Sequence, residues 1–287
     1  MNRRTLIAAA LGAAATARAA GEPVRVPKHI SMPDPQLTYV QRLVELALAR
    51  VGSKREIVPT ALDMAQGRTL VELAAGRSPV DVMWTMTDRQ RETSGLLPVR
   101  IPIDRGLLGW RLLLVRRSDL PTWQDVRSLD DLRGKLAGQG HDWPDTTILR
   151  ANGLQVGTSS VYDALFRMLA AGRIDYFPRS IAEIDTEIAN DRYPELAIAP
   201  HLMLHYPAAA YLFVSPTRPE LAVELKAGLE SAVADGSFQR LHREYFGAVL
   251  KAHPIAPEHV IRLKNPLLPP ETPLNRRELW LQPGETG

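Results

Sequence analysis

The chain has 287 residues, 45% hydrophobic and 23% charged, with no cysteine and a formal charge of +3. That length and balance suit one large or two ordinary globular lobes and argue against general disorder. Without cysteine there is no disulfide, thiolate metal site, iron–sulfur cluster or cysteine nucleophile, so core burial must hold the fold.

Met1-Asn2-Arg3-Arg4 is a basic start, Thr5 to Ala17 an Ala-rich apolar run, and Ala17-Arg18-Ala19 offers small residues where a signal peptidase reads. That order predicts a signal peptide over residues 1–19, with an apolar run too short to span a bilayer, and export to the periplasm. Arg3-Arg4-Thr5-Leu6-Ile7 also fits a twin-arginine signal, so the Sec and twin-arginine routes both stay open. Arg3, Arg4 and Arg18 carry the whole formal charge of +3, which leaves the mature chain neutral. With no basic block or stripe remaining, nucleic acid is not an expected partner.

Val24-Arg25-Val26 reads as an opening strand running into a turn at Pro33-Asp34-Pro35. Val40, Leu43, Val44 and Ala47 make the stripe of a helix that Gly52 ends. Strands follow at Glu56-Ile57-Val58, Val80 to Trp84 and Trp110 to Val115, with a helix from Thr69 to Ala75. Beyond Arg116-Arg117-Ser118-Asp119, a helical turn over Leu129 to Lys135 leads through Leu136-Ala137 into a loop at Gly138 to Asp145. Asp145 or Thr146 is expected to cap the next helix. Val161 to Leu169 is a further helix, and Ile174 to Phe177, Leu196 to Ala199 and Ala210 to Val214 are strands. Two amphipathic helices, from Leu221 to Val233 and from Phe238 to Tyr245, precede a proline-rich tail over Pro254 to Gly287. Alternating strands and helices predict an α/β fold of mainly parallel sheets, with ligand loops at the strands' carboxyl ends after Trp84, Ala137 and Phe177.

Four segments in this order resemble family 3 solute-binding proteins. They are Asp81-Val82-Met83-Trp84-Thr85-Met86-Thr87 with Arg89 and Arg91, Leu129-Asp130-Asp131-Leu132-Arg133-Gly134-Lys135, Met168 to Asp175, and Ala234-Asp235-Gly236-Ser237-Phe238. The chain is most similar to a bacterial branch marked by Gly138-Gln139-Gly140-His141-Asp142-Trp143-Pro144-Asp145-Thr146, Asp175-Tyr176-Phe177-Pro178-Arg179 and Asn265 to Leu274. The resemblance implies a two-lobed periplasmic-binding-protein-like fold with a double crossover and a small molecule in the cleft. It implies a monomer serving the permease of an ABC transporter, or else a membrane sensor. Lobe 1 is expected over 22–115 and 208–287, with lobe 2 inserted at 116–207 and hinges at Val115-Arg116-Arg117 and His205 to Ala209. Amino-acid binders of the family carry an aspartate about where Arg179-Ser180 stands here, so a standard α-amino acid is not the expected ligand.

Six residues form the expected binding set: Trp84, Arg91, His141, Asp142, Trp143 and Arg179. Arg91, with Arg89 as its alternative, and Arg179 offer planar forks of donors matched to a carboxylate. Trp84 and Trp143 offer flat apolar walls, whereas Trp110 reads as core. His141 and Asp142 add a donor and an acceptor beside helix amides. Donors outnumber Asp142 and Asp34, which predicts a small anionic ligand, with a neutral aromatic compound between Trp84 and Trp143 as the alternative. No cofactor or metal is expected, since His141, Asp142 and Asp145 match no ligand spacing. The cluster Asp185, Glu187 and Asp191 reads as a solvated helix face. An enzyme is not expected, because neither a G-x-S-x-G elbow nor a phosphate loop is present. The enzyme alternative is a cyclodehydratase-like elimination using Asp142 or Glu183.

Overall fold

A computed structural model describes residues 21–29, 36–189 and 192–282. The signal peptide, the turn at Pro33-Asp34-Pro35 and Asp191 lie outside the described residues.

The chain begins with β1 (Val24–His29), α1 (Leu37–Arg50), β2 (Ile57–Leu62), α2 (Gln66–Ala74), β3 (Val82–Met86), α3 (Arg89–Glu92) and β4 (Leu97–Val99). It continues through β5 (Trp110–Arg116), α4 (Leu120–Trp123), α5 (Leu129–Arg133), β6 (Leu136–Gly140), α6 (Pro144–Ala151) and β7 (Gln155–Ser159). Then come α7 (Tyr162–Ala170), β8 (Tyr176–Ser180), α8 (Ile184–Ile188) and β9 (Leu196–His205). The last elements are β10 (Ala210–Val214), α9 (Pro219–Ala234), α10 (Ser237–Ala252) and β11 (Val260–Arg262).

Two bodies of sheet result. In the first lobe β1 pairs in parallel with β2, and β10 lies antiparallel between β3 and β4. The Asp81 amide donates to the Arg25 carbonyl at 2.9 Å, joining β3 to β1. The second lobe is a six-stranded sheet in the order β11-β9-β5-β8-β6-β7. The fold is therefore α/β and two-lobed, as expected, but the sheets are mixed where mainly parallel ones were expected. β5 runs antiparallel to both β8 and β9. It enters the second lobe directly from the first, without the helical crossover that makes neighbouring strands parallel.

That entry also moves the lobe division. Trp110–Arg116, expected to close lobe 1, is an interior strand of the second sheet, so the division falls before Trp110. Arg116 and Arg117 are consequently second-lobe residues: the Arg117 amide donates to the Glu195 carbonyl at 2.7 Å, and Arg116 Nη1 donates to the Ile174 carbonyl at 2.7 Å. The chain instead passes between the lobes through residues 100–109, beside the return passage from β9 to β10. The two passages touch closely, with the Tyr206 amide donating to the Gly109 carbonyl at 3.2 Å. A Cβ on residue 109 would stand 2.1 Å from the Tyr206 carbonyl oxygen, so only glycine lets the passages lie together.

The tail does not stay in lobe 1 throughout. β11 pairs in parallel with β9, adding an edge strand to the second sheet. The chain then recrosses: the Arg89 amide donates to the Leu267 carbonyl at 3.1 Å, Arg276 pairs with Glu230 of α9, and Leu279 is fully buried. The tail is thus a third link between lobes, anchored by apolar side chains as well as by wrapping.

Candidate functional site

A cavity of about 120 Å³ lies between the two sheets. Its first-lobe wall is β3, whose five residues Val82–Met86 are all buried and which presents Met83, Trp84, Thr85 and Met86. Its second-lobe wall comes from β5, the first turn of α6, β8 and α8. A neighbouring cavity of about 350 Å³ shares Gln66, Trp143 and Tyr162 with the first, so Trp143 stands between the two.

Trp143 owes its place to the residues before it. Gly138-Gln139-Gly140, expected as loop, is buried strand β6, and the loop proper is only His141 to Trp143. Neither glycine serves a turn. A Cβ on residue 138 would lie 2.2 Å from Ile174 Cδ1, and one on residue 140 would lie 2.4 Å from the Trp143 ring. Gly138 lets Leu165 of α7 and Ile174, just before β8, pack onto the strand, and Gly140 lets the indole fold back over it. Trp143 is then the N-cap residue of α6, with Pro144 at the first helical position. Asp145 and Thr146, expected as caps, lie inside the first turn; Thr146 Oγ1 donates back to the Gly140 carbonyl at 2.7 Å.

The second-lobe wall holds two buried ionic groups. Arg111 Nη2 lies 2.6 Å from Asp145 Oδ1, Arg111 Nε donates to the Tyr206 hydroxyl at 2.9 Å, and that hydroxyl donates to Asp145. Burial pulls the Arg111 pKa down, but Asp145, Tyr206 and Glu183 together outweigh it and hold the value above that of an ordinary arginine. Arg179 is the centre of the other group. Its Nε donates to Glu187 Oε2 at 2.8 Å and its Nη2 to Glu183 Oε2 at 3.0 Å. Its Cζ lies 5.0 Å from the Trp143 ring centre, 5.6 Å from that of Tyr162 and 4.9 Å from that of Phe177. Burial opposes the charge on Arg179, and the two glutamates more than restore it. Burial raises the Tyr162 pKa, so its hydroxyl stays protonated and donates to Glu187 Oε1 at 2.5 Å.

The expected residues divide into two sets. Trp84, Trp143 and Arg179 line the first cavity, and Asp142 lines the second. Arg91 lines neither. It is 8% exposed, and all five of its donors face protein acceptors. Nη1 donates to Thr85 Oγ1 at 2.8 Å and to the Met86 carbonyl at 2.7 Å. Nη2 donates to Gln66 Oε1 at 3.0 Å and reaches the Asp142 carbonyl at 3.5 Å, and Nε lies 3.3 Å from Asp88 Oδ2. Arg89 faces the tail, donating to the Pro266 carbonyl at 3.0 Å. The His141 side chain is 54% exposed and outside both cavities. Trp110 is core, its ring tilted against that of His205 with centres 3.9 Å apart.

Asp142 has a role that its neighbours in sequence do not disclose. Helix α2 has Ala65 at its N-cap and no side-chain cap of its own. Asp142 Oδ2 accepts from the Gly67 amide at 3.0 Å, so the second lobe caps a first-lobe helix. Together with the Arg91–Asp142 contact this forms a seam across one side of the cleft.

The expected excess of donors is therefore overturned. Arg91 is spent within the seam, Arg179 is matched by two glutamates, and the first turn of α6 carries its own anion in Asp145. Two arginines and three carboxylates line the cavity, a net charge of one negative. Glu187, expected on a solvated face, has a side chain only 6% exposed, while Asp185 is exposed and pairs with His253. Sequence reasoning missed Arg111 and Tyr162. The signal for Arg111 is a lone charge inside the apolar strand Trp110–Val115, which burial makes costly unless a partner awaits it. Among the described residues no group of three His, Asp or Glu side chains could hold a metal, and no helix is long and apolar enough to cross a membrane.

No protein-family model matches the chain, and no curated protein matches it. Solved structures do. A Salmonella typhimurium periplasmic binding protein of high arginine specificity is 13% identical, covering 78% of this chain and 99% of its own, with a TM-score of 0.56. An amino acid ABC transporter substrate-binding protein of Streptococcus pneumoniae, bound to L-arginine, is 15% identical over 80% of this chain and 96% of its own, with a TM-score of 0.56. A double mutant of the VFT2 domain of Bordetella pertussis BvgS is 17% identical over 77% of this chain and 92% of its own, again at 0.56. At these identities the likeness establishes the two-lobed fold, and the ligand must be argued from the cavity itself.

Proposed function

We propose that the chain is an exported solute-binding protein whose lobes close on a small, uncharged, planar molecule and deliver it to an ABC-type importer. The supporting observation is the cavity between the two sheets, in which Trp84 and Trp143 supply aromatic surface while every charged wall residue bonds to another. An anion would meet a wall of one net negative charge, with no cation left over for it. A neutral ring avoids that cost and gains apolar and aromatic contact. The cavity volume of about 120 Å³ suits a ligand near the size of benzene, which an apolar cavity of about 150 Å³ holds. The second cavity gives room for a substituent beyond Trp143.

Catalysis is the weaker reading. Asp142 and Glu183, the carboxylates weighed for acid–base work, are engaged by the Gly67 amide and by Arg179. The importer assignment draws on the Streptococcus pneumoniae protein, and the periplasmic address on residues 1–19.

Thermal-shift screening of residues 20–287 against neutral heteroaromatics, organic acids and L-amino acids tests the ligand class. Neutral rings are expected to raise Tm, and Trp143→Ala is expected to abolish the shift. Stabilisation by organic acids alone would restore the anionic ligand. Crosslinking in intact cells is expected to recover an importer permease; a membrane receptor in its place would assign the cleft to sensing.

A further inference from the structure

Arg179 sits in surroundings with the chemistry of a cation receptor. The rings of Trp143, Tyr162 and Phe177 all lie within 5.6 Å of its guanidinium carbon, a range at which aromatic faces attract a cation. Glu187 and Glu183 accept its N–H groups in the geometry that a guanidinium prefers. The group forms part of the cavity wall, and Arg179 is itself only 5% exposed. Of the similar solved proteins, that of Salmonella typhimurium has high arginine specificity and that of Streptococcus pneumoniae is bound to L-arginine, which carries this same guanidinium.

We propose that Arg179 is a built-in cation: it fills a guanidinium subsite of the cleft and so acts as the residue that excludes guanidinium and alkylammonium solutes. This rests on reading the cavity as the ligand cleft. The exclusion follows from tethering. β8 is buried along all five residues, so the guanidinium is held against its aromatic and acidic partners at a high effective concentration. A free cation would have to displace it and then share the cavity with a displaced, unpaired Arg179, which is costly in a poorly hydrated space. Specificity here comes as much from rejecting one class of solute as from attracting another. Deleting the side chain would invert this selectivity, since two carboxylates and three ring faces would surround a space shaped for a guanidinium.

The test compares the wild-type protein with Arg179→Ala, using methylguanidinium as the probe and methylurea as its uncharged counterpart. Wild type is expected to show no Tm shift with either compound, or with L-arginine. Arg179→Ala is expected to gain about 3 °C with methylguanidinium at about ten times its Kd, and nothing with methylurea. If the variant folds only with the cation present, refolding yield with methylguanidinium against methylurea reads the same binding. If it folds with neither, Arg179→Ala combined with Glu187→Gln, which removes one of the two carboxylates beside Arg179, takes its place and is expected to show the same preference more weakly. The proposal is overturned if wild type is stabilised by methylguanidinium as much as the variant is, or if the folded variants do not distinguish the two probes. A neutral ligand found for wild type alongside a failed rescue would sink this inference alone. Successful rescue with stabilisation of wild type only by organic acids would sink the neutral-ligand reading and leave the cation subsite standing.

Discussion

On its first-lobe side the cavity meets Pro27, Met83, Trp84, Met86 and Ala210, relieved only by the neutral polar groups of Gln36, Gln66 and Thr85; on its second-lobe side it meets Arg111, Asp145, Arg179, Glu183 and Glu187, set among Leu108, Trp143, Pro144 and Tyr162. The contrast follows from how each wall is made. β3 is buried along its whole length, so the face it presents is apolar apart from the uncharged Thr85. The second wall is assembled from a strand, two helix starts and the end of β8, whose polar groups would be orphaned if they did not meet one another. The first wall therefore offers contact area at little desolvation cost. The second offers fixed charge whose partners are already in place, so it restricts which ligands the area can hold.

Four measurements would break or sharpen that contrast. The largest effect is expected on the charged wall, where Arg111→Met leaves Asp145 buried beside Tyr206 without its cation. Urea unfolding should show a loss of about 3 to 5 kcal/mol. A loss below about 1 kcal/mol would mean that water reaches Asp145 and that the wall is not the closed ionic surface described. On the apolar wall, Trp84→Ala removes a side chain 8% exposed and should cost about 3 kcal/mol through lost packing, with no change in pH dependence.

The third concerns Asp104, in the passage between β4 and β5 that joins the two walls. Its carboxylate accepts from the Gly106 and Leu108 amides at 3.0 and 2.7 Å, yet burial pushes its pKa from 3.8 up to about 6. A raised carboxylate pKa means that the folded state holds the proton more tightly than the unfolded chain does. The stabilisation is therefore fullest below the unfolded value and is lost as pH rises through the folded one. About 3 kcal/mol should disappear between about pH 4 and pH 7, and Asp104→Asn should lack that slope, so that it appears in the difference between wild type and variant. Opposite behaviour comes from Asp81, whose Arg25 and Arg218 partners hold its pKa below the ordinary carboxylate value against burial, so its contribution is lost on acidification. The Asp81→Asn variant separates the two.

The smallest effect should come from the seam. Asp142→Ala removes the cap that the second lobe lends to α2 and should cost about 1 kcal/mol or less in global stability. Its signature lies elsewhere: in small-angle scattering the ligand-free variant should show a larger radius of gyration, because the lost contact spans the lobes. Gly67→Ala should do the same, since a Cβ there would stand 2.9 Å from Asp142 Oδ2. An unchanged radius in both variants would mean that the tail and the two passages alone set the closure.

Reading the residues in order was enough for the kind and succession of elements, for a two-lobed α/β fold, and for Trp84, Trp143 and Arg179 as cavity residues. These are local matters: apolar spacing reports which face of an element is buried, and a strand followed by a capped helix places its loop at a sheet end. The partners could not be read in this way. Arg91 and Asp142, both expected to hold ligand, instead meet across the lobes, where Asp142 also accepts from the Gly67 amide. Glu187 leaves its solvated face to meet Arg179, eight residues earlier across a turn. The strand Trp110–Arg116 belongs to a sheet that its own pattern does not specify, because a buried strand looks alike in either lobe. An ion's role is set by which opposite charge reaches it when both are stripped of water, and that choice is made between segments distant in the chain. Only the packing of the second lobe brings Arg111 to Asp145 and Arg179 among its three rings, and with those meetings the charge of the cleft is decided.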